Sequence, residues 1–432
     1  MKRSLFGLVL CLIMVFAFVP VSHSQYNIIQ LTNNGLADST PHINNNGHVV
    51  WSGWDGTDNE IFLYDGISTT PLTNNDVADF TPQINNHGHV VWSGWDGSDN
   101  EIFLYDGIST IPLTNNGLPD STPHINDNGH VVWSGWDGSD WEIFLYDGTS
   151  TTQLTDNPYY DDHPQINNYG HVVWRGGDGA DFEIFVWDGT STTQLTNDTY
   201  VHHFPAINDN GHVVWSGWDG SDDEIFLYNG TSTTPLTNNG LPDSNPQINN
   251  SGQVVWSGSD GSDDEIFLYN GTSTTQLTSN RLSDSSPQIN NNGYVVWSGG
   301  KRSGREIFLA FPCSLNDDYD GDGYISGACG GNDCHDGDMG VNPGMSESEE
   351  TGNCSDWKDN DCDGNLDCHD SDCTPCPACS GSMAAPNLRV DRVHGASDLG
   401  KHLVYFLMPA GAVLAIGIWR RKRWESSPIL PD

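Results

Sequence analysis

Asp359, Asp361, Asp363, Asp367 and Asp370 are spaced like the ligands of a calcium loop. They occupy positions 1, 3, 5, 9 and 12 of one stretch, with Gly364 at position 6. Hard carboxylate oxygens in that order can wrap a single Ca2+. The glycine permits the sharp turn, and Asn365 at position 7 offers its backbone carbonyl. A second stretch, Asp318-Tyr-Asp320-Gly-Asp322-Gly-Tyr324, carries the first half of the same pattern. Its later positions are Ser326 and Cys329, so its remaining ligands must come from elsewhere, with Asp333, Asp336 and Asp338 as candidates.

These loops lie in a segment, 313–380, that holds nine cysteines, many aspartates and almost no aliphatic residues. So short and polar a segment cannot bury enough apolar surface to fold alone and must be stapled by disulfides, metal or both. Cys373-x-x-Cys376-x-x-Cys379 has zinc-like spacing, but in an exported chain oxidation to disulfides is expected instead. The odd count leaves one thiol unpaired or bridged to a partner, and the pairing is not readable from spacing.

Residues 318–364 resemble the MopE-type metal-binding motif and, more loosely, thrombospondin type 3 calcium repeats. The resemblance rests on Asp318-x-Asp320-Gly-Asp322-Gly-Tyr, Asp333-Cys-x-Asp336, Val341-Asn-Pro-Gly344, Glu347 and Asp359-Asn-Asp361-Cys-Asp363-Gly. His335 stands where that family usually has Asp, and Ser355-Asp-Trp-Lys358 replaces its short Gly-containing lead. The resemblance implies copper as the alternative to calcium. Copper prefers imidazole, thiol and thioether ligands, whereas these loops offer carboxylates, with His335 and His369 as the imidazoles. Calcium is the favoured cofactor.

A second set of candidate ligand residues is repeated along residues 25–312. Trp54, Trp95, Trp136 and Trp218 stand beside Asp-Gly-x-Asp-x-Glu phrases such as Asp96, Asp99 and Glu101. Asp38, Asp79, Asp120, Asp161, Asp243 and Asp284 recur at one equivalent position, where His202 is the exception. Aromatic rings stack on the apolar faces of sugars while carboxylates take hydroxyls, so this pattern predicts a glycan- or protein-binding face. Asp-Gly also builds hairpins and Asp caps loops, which is the purely structural explanation of the same residues. The copies depart from one another at Arg175-Gly-Gly and at Lys301-Arg302-Ser-Gly-Arg305, so Arg302 joins the candidate face with His202. The repeated His48, His89, His130, His171 and His212 give way to Gln253 and Tyr294, which argues against a metal ring. Glycoside hydrolysis needs a singled-out carboxylate pair, which near-identical copies do not offer. No Gly-x-Ser-x-Gly, His-Glu-x-x-His or phosphate-binding loop occurs. A non-enzymatic protein is expected, with a propeller glycoside hydrolase or lyase as the remaining alternative.

The elements that position these residues follow from their rhythm. Trp51, Trp92, Trp133, Trp174, Trp215, Trp256 and Trp297 stand 41 residues apart, each closing Gly-x-Val-Val-Trp and each followed by Glu-Ile-Phe. A period of that size marks one supersecondary unit stacked many times. Each copy reads as four short strands joined by Asn, Asp and Gly turns, without a helical period, which describes a propeller blade. The seventh copy lacks its fourth strand, while Tyr26-Asn-Ile-Ile-Gln-Leu-Thr32 supplies a spare one at the other end. The expected fold class is therefore all-β: a seven-bladed β-propeller closed by the N-terminal strand, with no free sheet edges at the seam. The phrase Leu-Thr…Asp…Pro-x-Ile-Asn-x-x-Gly-x-Val-Val-Trp…Glu-Ile-Phe-Leu-Tyr-Asp-Gly, over residues 26–311, resembles TolB-like propellers. That resemblance implies a binding or scaffold domain. This chain writes Ile-Asn-Asn-Asn-Gly where those propellers have Trp-Ser-Pro-Asp-Gly, so it speaks to fold more than to partner.

The flanks suggest an address. Residues 1–24 read as a secretory signal, with Lys2 and Arg3 before an apolar run and Ser22-His-Ser24 as the cleavage context. A linker over 381–401 precedes an apolar stretch at 402–419 and the basic tail 420–432, headed by Arg420-Arg-Lys-Arg423. This predicts a single transmembrane helix with a cytoplasmic C-terminus, or a tail removed by a sorting enzyme. Between the signal and Lys401, which flanks the anchor, stand 56 acidic against 8 basic residues. A nucleic-acid partner is thereby excluded, because phosphate neutralisation needs Lys and Arg, and cations are called for to relieve self-repulsion. The expected protein is an exported, membrane-anchored cell-envelope scaffold: a calcium-binding stalk bearing a propeller that binds protein or glycan.

Overall fold

The computed structural model describes residues 26–301, 304–313, 324, 329, 341–345 and 362. The signal segment, Arg302, the linker, the apolar tail and all the aspartates of the two candidate calcium loops lie outside these residues. Among the described residues no helix is long and apolar enough to cross a membrane.

Seven four-stranded antiparallel sheets account for the described strands. Blade one shows the pattern. Strand β1 (Tyr26–Gln30) belongs to the seam, and β2 (Asp38–Ile43), β3 (Val49–Trp54), β4 (Asn59–Tyr64) and β5 (Thr69–Pro71) form the blade in that order. Blades two to six repeat it from Asp79, Asp120, Asp161, His202 and Asp243. Blade seven runs Asp284–Ile289, Val295–Lys301 and Gly304–Pro312, and its fourth strand is β1, paired in register from Tyr26 with Pro312 to Gln30 with Phe308. The seam closes as the strand count predicts.

The alternation of the strands explains the core. The Val-Val-Trp strand is buried on both faces, because each sheet is sandwiched between two others. The apolar clusters accordingly lie between blades. Val50 and Ile61 of blade one pack with Ile84, Val90 and Trp92 of blade two. The ring closes when Ile43, Val49 and Trp51 meet Val296, Ile307 and Leu309. Every repeat tryptophan is 1–2% exposed. Each stacks on the phenylalanine of the next strand, as in Trp133 on Phe144, with ring centroids 5.8 Å apart. Fully burying such rings, with offset stacking, stabilises each interface by several kcal/mol, about 1.5–3 for a large side chain before the stacking increment.

The innermost strands face the axis and each carries a bulge. In β2 the register shifts between Ser39 and His42. The residue at the bulge has left-handed backbone in all seven blades: Thr40, Thr81, Thr122, His163, Phe204, Asn245 and Ser286, at φ between 49 and 55°. None is glycine, so each conformation is held by its surroundings at a cost of roughly 1–3 kcal/mol. A bulge re-aims a side chain. Here all seven bulge residues line a cavity of about 220 Å3 on the axis.

Toward the face formed by the first turns, the axis is encircled by two rings of hydrogen bonds. Asn44 Nδ2 donates to the Asn85 carbonyl at 3.0 Å, and the same bond recurs blade by blade until Asn290 Nδ2 donates to the Asn44 carbonyl at 2.9 Å. The next residue repeats the scheme through its side-chain oxygen, from Asn45 N to Asn86 Oδ1 at 2.7 Å round to Asn291 N to Asn45 Oδ1 at 2.8 Å. Repeated Ile-Asn-Asn/Asp in the sequence is thus a circumferential belt that fixes blade spacing.

Beyond the propeller, Cys313 is bonded to Cys329, and Cys362 is also disulfide-bonded. Tyr324 lays its ring against Gly344, which follows a turn held by Asn342 Oδ1 accepting from Gly344 N at 2.8 Å.

Candidate functional site

The acidic residues divide into a buried and an exposed set. Asp38, Asp79, Asp120, Asp161, Asp243 and Asp284, expected on an open face, are only 1–2% exposed. The reason is the tryptophan rhythm. The indole Nε1 of Trp92 donates to Asp79 Oδ1, that of Trp133 to Asp120 and that of Trp256 to Asp243, each at 3.0 Å. The other carboxylate oxygen accepts from an asparagine of the connection, as from Asn75 Nδ2 to Asp79 Oδ2 at 3.1 Å. The glycine after Trp-Ser leaves the room: a Cβ on Gly135 would collide with Asp120 Oδ1 and the Phe144 ring. These aspartates join blades and are not open to a ligand.

Each also neighbours a buried glutamate of the preceding blade, which shifts its acidity. Burial, then the charge of Glu101, pushes Asp120 up to about 7. Burial likewise raises Asp243 to about 7, and Asp38, Asp161 and Asp284 to about 6. His202 takes the aspartate's place in blade five. It is 4% exposed, with Nε2 3.6 Å from Glu183 and 3.4 Å from Asp198. The expectation that His202 lies on the ligand face is therefore corrected: it is buried between blades beside Glu183. The change leaves the Trp215 indole without an acceptor.

The exposed set lies where the second and third strands turn. Trp54, Trp95 and Trp218 are 40–43% exposed, and Trp136 is half-buried. They recur around the ring, each in its own blade, and do not converge.

What does converge is a set of departures from the repeat in blades three to five. Arg175, where other blades have serine, donates from Nε and Nη2 to the two carboxylate oxygens of Asp162, and from Nη1 to His203 Nδ1 at 2.9 Å. Its guanidinium also lies 4.4 Å from the centre of the Phe182 ring. His163 Nδ1 is 3.0 Å from Asp162 Oδ1, and the His163 ring meets Phe204 edge-on at 5.2 Å. Burial works against the Asp162 charge, but His163 and the Arg175 guanidinium hold its carboxyl below the usual range. Burial, then the Arg175 charge, pushes His203 down.

Outward from Arg175 the contacts are aromatic. Phe182 meets Tyr160 at 6.2 Å, Tyr160 meets Trp141 at 6.2 Å, and Trp141 meets Trp136 at 6.3 Å. Tyr159, Tyr160 and Tyr200 are 39–41% exposed, in connections that elsewhere read Leu-Ala, Val-Ala, Leu-Pro or Leu-Ser. Bulge residues His163 and Phe204 carry the same patch onto the wall of the axial cavity. One contiguous aromatic and charged flank therefore runs from the rim of blade three to the axis. Of the residues singled out by sequence, only Trp136 and Arg175 belong to it. Asp162, His163, His203, Phe204, Trp141, Tyr160 and Phe182 were missed, although laying the copies over one another shows each as a departure.

Neither a protein-family model nor any curated protein matches this chain. Solved structures match its fold. The β-propeller domain of the Trilobed protease from Pyrococcus furiosus superposes with a TM-score of 0.51 at 12% identity, covering 63% of this chain and 94% of that one. That domain is described as having an open velcro topology, whereas here β1 closes the last blade. A puromycin-hydrolysing peptidase from Mycobacterium tuberculosis superposes with a TM-score of 0.53 at 15% identity, over 65% of this chain and 51% of the peptidase. This chain thus spans about half of that enzyme. At such identities the likeness is one of propeller fold.

Proposed function

We propose that the chain is a non-enzymatic, exported binding protein whose propeller takes a glycan or a protein segment on the aromatic flank of blades three to five. The observation that carries this reading is convergence: the substitutions that break the repeat there touch one another. A structural repeat has no need of Arg175, Tyr160, Trp141 or Phe204 at those places, since sister blades fold with serine, alanine or proline, asparagine and threonine. Flat rings beside satisfied charges suit a polar ligand with apolar faces. The buried Asp–Glu neighbours recur around the ring, with the aspartates already engaged by indole and amide donors, which speaks against their use as a hydrolytic pair.

In the same reading, the signal segment and apolar tail place the propeller outside the cell on a membrane anchor. The 313–380 segment serves as a disulfide- and calcium-stapled stalk, with an affinity of about 10⁻⁴ to 10⁻³ M, as in extracellular modules. A glycan array and a cell-surface pull-down with the full chain and its Tyr160→Ala/Phe204→Ala variant test the flank. We expect binding to fall at least about tenfold, roughly 1.4 kcal/mol, with the melting temperature little changed. Binding that survives the double substitution would move the site elsewhere.

A further inference from the structure

We propose that the hairpins between the second and third strands of blades one to six are divalent-cation sites of the calcium type, separate from the stalk. In blade one Asp55, Asp58 and Glu60 each bring a carboxylate oxygen within 4.8 Å of the others, and the equivalent triplets of blades two to five do the same. Blade six carries Asp260, Asp263 and Glu265 at these positions. Oxygens bound to one Ca2+ lie 2.3–2.6 Å from it, so two ligands on one ion are separated by up to about 5 Å. Three carboxylates at this spacing leave room for one ion and for waters to complete its shell.

The glutamate points to an occupant. In blades one to six this residue is at most 1% exposed. Its Oε1 accepts the amide of the following connection, as from Asn75 N to Glu60 at 2.6 Å. Its Oε2 is buried and receives no hydrogen bond in any of the six. Asp181 Oδ1 and Asp222 Oδ2, in the loops of blades four and five, are buried and unpartnered as well. A buried charged oxygen without a donor costs several kcal/mol; no lysine or arginine pairs with these glutamates among the described residues, and the one imidazole near them is His202, 3.6 Å from Glu183 Oε2.

Blade seven is the internal control. Its loop reads Lys301-Arg302-Ser-Gly-Arg305 and has no aspartate. There Glu306 Oε2 accepts from Thr32 Oγ1 at 2.8 Å and from Asn34 N at 3.4 Å. Where the loop acids are absent the glutamate finds protein donors; where they are present its oxygen is left open. The rival occupant is a proton shared with the aspartate of the next blade.

Terbium, a calcium mimic excited through neighbouring tryptophan, distinguishes the two. The loop tryptophans at positions 54, 95, 136 and 218 immediately precede the loop aspartates of their blades. In the full chain we expect sensitised emission displaced by calcium and only weakly by magnesium. Asp99→Asn or Glu101→Gln should each lower the bound-ion count by one, and changing Asp359, Asp361 and Asp363 to Asn should leave the propeller signal intact. Circular dichroism melting confirms that each variant is folded. Emission unchanged in the folded loop variants, or lost only in the stalk variant, would overturn the proposal. So would stabilisation that follows pH but not calcium.

Discussion

At the residue scale, identity is dictated by a few close contacts. Gly135 has no Cβ because Asp120 and Phe144 fill its place. Gly135→Ala should cost about 2 kcal/mol by overpacking, read from urea unfolding, and a loss under about 0.5 kcal/mol would show that the aspartate can step aside. His202 is the converse case, a substitution that costs a hydrogen bond. His202→Asp restores the acceptor for Trp215 and should gain about 1 kcal/mol at pH 5. The gain should vanish at alkaline pH, where the new carboxyl and Glu183 both ionise; a melting temperature unaltered at pH 5 would contradict it.

At the element scale, β1 is a short strand with a disproportionate role. It pairs along its whole length with Gly304–Pro312. It also brings Tyr26, which is 7% exposed, and Ile29 against the blades on either side. Deleting residues 26–30 exposes the edge of blade seven and removes two large apolar side chains, a loss of about 4 kcal/mol. Calorimetry should show a lowered midpoint, and light scattering should show association through the freed edge. A truncated chain that melts unchanged would mean that the seam does not need its strand.

At the scale of the whole molecule, the ring multiplies one electrostatic motif. Folding raises Asp38, Asp120, Asp161, Asp243 and Asp284 from 3.8 to about 6 or 7 by burial. A raised carboxyl contributes stability that is fully present below its ordinary value and is lost as pH rises through the folded value. Burial lowers His42 to about 3 and His124 to about 4, so their contribution runs the other way and is lost as pH falls. The carboxyls outnumber the histidines. In calcium-free buffer, stability should therefore rise as pH falls from neutrality to about 4.5. Below that it should fall, as turn aspartates such as Asp65 and Asp106, held low by backbone amides, take up protons. A stability maximum at or above pH 7 in calcium-free buffer would refute this balance.

The repeat alone determined the blade count, the strand order and the seam, because a 41-residue period with four alternating strands leaves one way to bury Val-Val-Trp. It also flagged Arg175 as an exception. Burial was not legible: Asp120 and Asp96 look alike in sequence, yet one is locked under an indole while the other sits in an open turn. Nor could the linear order show that exceptions in blades three, four and five meet. Trp141, Tyr160, Phe182 and His203 become neighbours only because antiparallel pairing and ring closure set the turns of successive blades side by side, and that is a property of the tertiary structure alone.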